Sequence, residues 1–342
     1  MKTDQQQIDF VLIWVDGNDP EWRKTKQYYL KKENTNKCQR EDVQGDVRYR
    51  DWDNLKYWFR AVEKYAPWVH KVHFVTCGQT PEWMNNECAK LNLVNHKEFI
   101  PEKYLPTFSS HPIELNLHRI EGLSEQFVYF NDDFFLTSPV VPEDFFVNGL
   151  PCDFREEIPL EFYEKDVYNQ ICVNNIIFLN RHFSRRASRK KEPGKWYSLK
   201  SPQTSIKNLI TGCLRCHHFF GMETHHVPQA YLKNSFQKVW ELEPEWMDET
   251  CSHRFRDERD LNQHAVKFWQ LMSGNFEPYN MKKFGKVFTV GGQTDGICSA
   301  IVKQRYKTIC INDSKQIDFI TEQRKINNAF EKILSEKSSF EK

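Results

Sequence analysis

Three short runs of β-branched and aromatic residues each stop at a loop rich in Asp, Asn or Gly, with helical spacing in the intervals. The first, IDFVLIWV from Ile8 to Val15, ends at Asp16-Gly17-Asn18-Asp19-Pro20. The second, KVHFVT from Lys71 to Thr76, ends at Cys77-Gly78-Gln79. The third, FVYF from Phe127 to Phe130, ends at Asn131-Asp132-Asp133. Between the first two, Leu55, Trp58, Phe59 and Val62 mark one face of a helix from Trp52 to Tyr65, stopped by Pro67. A short helix is expected after Pro81, LNLVNH reads as a further strand, and Pro112 to Gly122 reads as a helix with proline in its first turn. Such alternation implies parallel pairing with right-handed crossovers, and ligands then bind beyond the carboxyl ends of the strands. The fold class is α/β, and Asp16, residues 76 to 78 and Asn131 to Asp133 should converge on one crevice.

The second half is less regular. ICVNNIIFL, residues 171 to 179, reads as a strand before a basic loop. A helix is expected from near Pro228 to Trp240, and another from near Asp257 through Leu261, Phe268, Trp269 and Met272. His226 and Arg256 immediately precede them, which would set both at helix ends that attract anions. A last amphipathic helix, 317 to 334, carries Ile317, Ile320, Ile326, Phe330 and Ile333. Three segments follow: an α/β core to residue 150, an insertion over 151–224, and a helical part over 225–342 that completes the same domain.

With 48 basic and 47 acidic side chains the net charge is +1, which argues against wholesale nucleic-acid binding. The local exception is RHFSRRASRKK, from Arg181 to Lys191, either a solvated loop or a surface for a polyanionic acceptor or an anionic lipid face. No apolar stretch approaches a membrane span, and the start, MKTDQQQ, lacks the pattern of a signal peptide. The expectation is a soluble chain. Its ten cysteines are scattered, and only Cys213-Leu-Arg-Cys216-His217-His218 hints at zinc, as half a site that Cys251 and His253 would have to complete.

Oxygen ligands at a strand end suit a hard divalent cation that also binds substrate phosphates, so Asn131-Asp132-Asp133 is the main candidate, with Asp16 beside it. A helix cap or turn is the plain alternative for the same residues. His226 has a rival in His225, and Arg256 sits in the charged run from His253 to Arg259, which leaves the choice of arginine open. Asn312-Asp313 repeats the strand-then-Asn-Asp pattern near the far end, where a turn is again the alternative. Neither a P-loop nor a dinucleotide-binding glycine motif is present.

IDFVLIWVDGNDPEW from Ile8, the block from Arg48 to Phe146 with APWVHKVHFVTCGQTPEW and LPTFSSHPIELNLHRIEGLSEQFVYFNDDFF, HHVPQAY through RFRDERDLNQHAVKFW, and ICINDS occur in that order. Together they resemble the four regions of the Stealth family of hexose-1-phosphate transferases, which includes bacterial capsular polysaccharide phosphotransferases. The resemblance implies a GT-A-like, mostly parallel sheet with flanking helices and an additional largely helical segment. It implies a UDP-sugar donor, Mg²⁺ or Mn²⁺, and an oligosaccharide, polysaccharide or lipid-linked glycan acceptor, at the cytoplasmic membrane face of a bacterium. It places the catalytic residues at Glu114, Asp133, His226 and Arg256. Donor contacts fall to Asp16, Gly17, Asn131 and Asp132, and metal contacts to Asp133, Asn312 and Asp313. A glycosyltransferase releasing UDP and a non-catalytic carbohydrate-binding protein are the competing readings.

Overall fold

The computed structural model describes residues 7–33, 49–162 and 166–342; the polar start through Gln6 and Arg48, where the second sequence block opens, lie outside them. β1 (Ile8–Ile13), β2 (Val72–Thr76), β3 (Leu91–Asn95) and β4 (Gln126–Phe130) pair in parallel in the order β3-β2-β1-β4. The chain moves outward on one side of β1 through β2 and β3, then returns to its other side with β4. The gap between β1 and β4 is therefore the switch point of the sheet, where such folds open a crevice. Successive side chains alternate between two cores. Phe10, Leu12, Phe74, Val128 and Phe130 face the helix Leu55–Tyr65 and the C-terminal helix Phe319–Ile333. Val11, Val75, Phe127 and Tyr129 face the helices Ser110–Asn116, Lys233–Leu242, Pro244–Ser252 and Gln263–Met272.

β5 (Phe134–Leu136) leaves this sheet directly after Asp133. β6 (Phe146–Val147) and β7 (Leu150–Asp153) form a small hairpin, and β8 (Gln229–Leu232) adds antiparallel to the free edge of β4. β9 (Glu277–Pro278) joins β7, while β10 (Gly285–Thr289) pairs with β11 (Thr308–Asn312), which runs antiparallel to β5.

Several expectations need correction. Residues 171–179 are not a strand but part of the helix Val167–His182, capped by Asp166, whose side chain accepts from Asn169 N–H. An apolar run of that length does not distinguish a strand from a buried helix. Here Asn174 and Asn175 decide, donating to the Glu258 and Asp260 carbonyls and to Asn262 Oδ1. The basic run is not a loop; Arg185–Lys191 is a helix. No helix starts at Pro228, because β8 first completes the sheet edge, so His226 precedes a strand. The helix expected near Asp257 begins at Gln263, capped by Asn262, and leaves Arg256 in a loop. The segment after Pro81 is a series of turns, and the helix Pro20–Glu33 follows the first acidic loop without having been anticipated. Among the described residues no helix is long and apolar enough to cross a membrane.

Candidate active site

The ends of β1, β2 and β4 meet as the topology demands. β1 and β4 are in register through Leu12 opposite Phe130, so the loops that carry Asp16 and Asn131 to Asp133 leave the same edge of the sheet. Gln79, just past β2, locks the first of these loops. Its Oε1 accepts from Asp16 N–H at 2.8 Å and its Nε2 donates to the Asp16 carbonyl at 3.0 Å. Asp16 Oδ1 then accepts from Asn18 N–H at 2.7 Å, closing an Asx turn. Gly17 is required there, since a Cβ would run into the Tyr49 carbonyl. Gly17, Trp22, Arg23, Lys26, Tyr49 and Arg50 line a cleft of about 540 Å³ beside this turn.

Asp133 is held by the strand exchange that follows it. Ile311 N–H donates to its carbonyl at 3.0 Å, so the β5–β11 pairing carries Cys310 to its side chain, with Asn312 on the far side of the same thiol. The Cys310 thiol lies 3.3 Å from both Asp133 Oδ2 and Asn312 Oδ1. Burial, reinforced by Asp133 and Asp132, pushes that thiol far up and keeps it protonated. His226 Nε2 lies 3.5 Å from the same Oδ2, its ring edge-on to Phe134 at 4.7 Å. Donor atoms of Asp133, His226 and Cys310 all fall within 4.8 Å of one another. Asp133 Oδ1 is buried and has no hydrogen-bond partner. An orphaned carboxylate oxygen is costly unless something else meets it, and oxygen donors from Asp133 and Asn312 suit a hard divalent cation.

Around this point the crevice is acidic. Asp132 is exposed, yet the crevice walls crowd it, and that desolvation, with Asp133 and then Asp51, raises its pKa to about 7. Burial raises Asp51 as well, against the Asp53 N–H bond that lowers it, with the charges of Asp53 and Asp16 adding to the rise. Asp313 turns elsewhere: Oδ2 accepts from Trp52 Nε1 at 3.1 Å, and Oδ1 faces Arg50 at 3.6 Å.

Glu114 and Arg256 form the other wall, joined by the helix Ser110–Asn116. Glu114 is buried, with Oε2 accepting from Gln263 N–H at 3.4 Å, the first turn of a helix and therefore a positive end. The Tyr129 hydroxyl lies 3.2 Å from Glu114 Oε1 and also reaches Asn131 Oδ1, linking this wall to the strand-end acids. Arg256 Nη2 donates to Ser110 Oγ at 3.3 Å and meets no carboxylate among the described residues. Its neighbours are engaged: Arg254 with Glu33 at 3.6 Å, Arg259 with Asp257 and Glu249. The structure thus separates three arginines that look alike in sequence. The two histidines separate too, since His225 packs on Phe154 and burial, then Lys267 and Lys282, depress its pKa to about 4.

Cys213 and Cys216 are exposed, and Cys251 and His253 do not join them. Cys251 is buried against Asn116 Nδ2, and His253 is bound to Asp260 at 2.7 Å.

The sequence matches the descriptions "Stealth protein CR1, conserved region 1" over residues 6–33 and "Stealth protein CR2, conserved region 2" over 48–152. It is 39% identical over 338 residues to the capsular polysaccharide phosphotransferase WcwK of Streptococcus pneumoniae, covering 98% of both chains. The chain belongs to the Stealth family. This Stealth protein is also 38% identical to the receptor polysaccharide phosphotransferase WefC of Streptococcus gordonii, covering 98% of its own length and 99% of the relative. It is 36% identical to the exopolysaccharide phosphotransferase cps2G of Lactiplantibacillus plantarum, covering 98% and 96%. Among solved structures, the galactosyltransferase LgtC in complex with donor and acceptor sugar analogs aligns over 97% of this chain and 98% of its own, at 9% identity and a TM-score of 0.39. So loose a likeness carries no argument.

Two residues of this Stealth site escaped sequence reasoning. Cys310 was visible in principle, because alternation along β11 puts it on the same face as Asn312. His264 was not: it is buried, its Nδ1 lacks a partner, and burial drives its pKa far down, with Lys267, His226 and His111 adding to the effect.

Proposed function

We propose that this chain transfers a hexose-1-phosphate or N-acetylhexosamine-1-phosphate from a UDP-sugar to a sugar hydroxyl during polysaccharide synthesis, forming a phosphodiester and releasing UMP. One observation carries the reading: an orphaned, buried Asp133 oxygen at the switch point of the sheet, with His226 3.5 Å from the other oxygen of that carboxylate. The family's curated polysaccharide phosphotransferases support it at full length.

Asp133 and Asn312 would hold Mg²⁺ or Mn²⁺, which when bound neutralises charge on the donor diphosphate. The cleft from Gly17 to Arg50 takes the nucleotide, with Arg23 and Arg50 on its wall. His226 accepts the proton of the acceptor hydroxyl, and Asp133 Oδ2 stabilises the imidazolium that results. The hydroxyl oxygen bonds to the β-phosphorus while the bond from that phosphorus to the bridging oxygen breaks, and UMP leaves with the electron pair. Arg256, which meets no competing carboxylate among the described residues, clamps non-bridging oxygens of the reacting phosphate. Glu114, fixed by Tyr129 and Gln263, orients the acceptor.

The test is product analysis after incubation with a panel of UDP-sugars, Mg²⁺ and candidate oligosaccharides. UMP together with a phosphodiester-linked product is the expected result. UDP with a plain glycosidic product would overturn the reading in favour of attack at the anomeric carbon, and donor binding without turnover would favour a lectin-like protein.

A further inference from the structure

The helix Pro202–Gly212 is built inside out. Its buried positions are polar: Thr204, Asn208 and Thr211. Thr204 Oγ1 donates to Glu156 Oε2 at 2.7 Å, and Thr211 Oγ1 accepts from Arg189 Nη2 at 3.0 Å. Asn208 Nδ2 donates to the Arg155 and Trp196 carbonyls at 2.6 and 2.8 Å, while its Oδ1 accepts from Glu157 N–H at 3.0 Å. The opposite face carries Ile206, Leu209 and Ile210, with Leu214 just past the end; these are 58, 56, 64 and 48% exposed. Their spacing makes one stripe of the kind that normally faces a core. Here the inward side is hydrogen-bonded and the apolar side is bare. A continuous apolar stripe on a surface marks an interaction site.

Charge indicates what covers it. From Ser184 to His218 the chain holds nine lysines and arginines and a single carboxylate, Glu192. The helix Arg185–Lys191 turns Arg185 and Arg189 inward, where both bind the buried Glu157 at 2.8 and 2.5 Å and reach carbonyls at the end of the inverted helix. Arg186 and Lys190 are left outward, exposed and out of ion-pair distance of any carboxylate among the described residues. Lys200 and Arg215 are exposed as well. On the remaining side, Glu161 and Glu223 line a cleft beside Ile210 and bound the basic patch. A two-fold contact between copies through this face would bring its cations together and cost affinity.

We propose that the stripe Ile206, Leu209, Ile210 and Leu214, together with Arg186 and Lys190 on the helix bonded to it, docks peripherally on an anionic phospholipid surface. The apolar side chains enter the boundary between headgroups and acyl chains, and these cations meet lipid phosphates. This sharpens and partly overturns the sequence expectation for Arg181 to Lys191. Two of its six cations are internal struts, and the apolar component lies on a different helix.

Sedimentation of the full chain with phosphatidylglycerol–phosphatidylcholine vesicles, against phosphatidylcholine alone, tests this. The protein should partition onto the anionic vesicles and be released as salt rises. Ile206→Ser/Ile210→Ser and Arg186→Glu/Lys190→Glu should each weaken partitioning roughly tenfold or more, with unchanged circular dichroism. Equal binding to both vesicle types, or none, overturns the proposal. So does a concentration-dependent dimer in light scattering that the serine substitutions dissolve. Vesicle binding needs neither donor nor turnover, so its outcome is independent of the phosphotransfer reading.

Discussion

Asp133, the centre of the candidate site, departs from what stability would choose. One oxygen is shared among Cys310 and His226, and the other is buried with no partner. Replacing that carboxylate with an amide removes a charge from acidic surroundings that already include Asp132. Asp133→Asn should therefore lose at least ~10²-fold in metal-dependent transfer, while its thermal midpoint holds or rises. Parallel assays of turnover and unfolding check this; a variant that keeps near-normal activity would take Asp133 out of the metal site. At this scale the sequence was only partly legible. Asn131 to Asp133 stands out because an acidic loop closes an apolar strand. Arg256 does not, because its distinction is that it meets no carboxylate among the described residues, and that is set by where Glu33, Asp257 and Glu249 sit in space.

Among the elements, β1 depends on a carboxylate with no part in the chemistry. Asp9 is fully buried, with Oδ1 accepting from Lys71 N–H at 3.1 Å and 2.8 Å from His70 Nδ1, and Oδ2 accepting from Ser124 N–H at 2.7 Å. His73 Nε2 is 3.1 Å from Oδ2, and Asn92 Nδ2 donates to His73 Nδ1, so it is Nε2–H of His73 that donates to Asp9. Burial alone would raise the carboxyl; the hydrogen bonds from His73, Ser124 and His70 outweigh it and hold the pKa at about 2. A folded pKa below the unfolded one contributes stability above the unfolded value and loses it on acidification. The wild-type protein should lose about 2 kcal/mol between roughly pH 4 and pH 2 from this group. Asp9→Asn should be less stable at neutral pH and flatter across that window, as denaturant titrations at several pH values would show. An unchanged acid limb would sink the assignment. The parallel pairing of β1 to β4 was readable from alternation, though not their order, whereas β8 and the helix Val167–His182 were not readable. Both are short apolar runs whose state is set by the partner, a free edge of β4 in one case and Asn262 with the loop from Glu258 to Asp260 in the other.

For the molecule as a whole, residues 340–342 clasp the helix Leu55–Tyr65 and the turns after Pro81. Arg60 grips Glu341 with two bonds of 2.8 Å and also donates to the Leu334 carbonyl at 2.9 Å. Lys342 N–H donates to the Trp83 carbonyl at 2.9 Å. Between these anchors Phe340, 1% exposed, packs 5.2 Å from Phe59. Phe340→Ala should cost about 3–5 kcal/mol, read as a lowered denaturation midpoint with the strand-end site intact in any protein still folded. A loss below ~1 kcal/mol would mean that the clasp closes around the gap.

The pairing of β5 with β11 has a consequence for how the protein is made. Cys310 and Asp133 touch across 177 residues of sequence. Such distant pairing forms late, after local helices and the parallel strands have had time to assemble. On the ribosome, a chain that has completed β1 to β4 still lacks Asn312 and presents an unfinished crevice. On the proposed reading, holding donor phosphates would require synthesis of the β11 segment, and a chain that stopped before it would lack Cys310 and Asn312 beside Asp133.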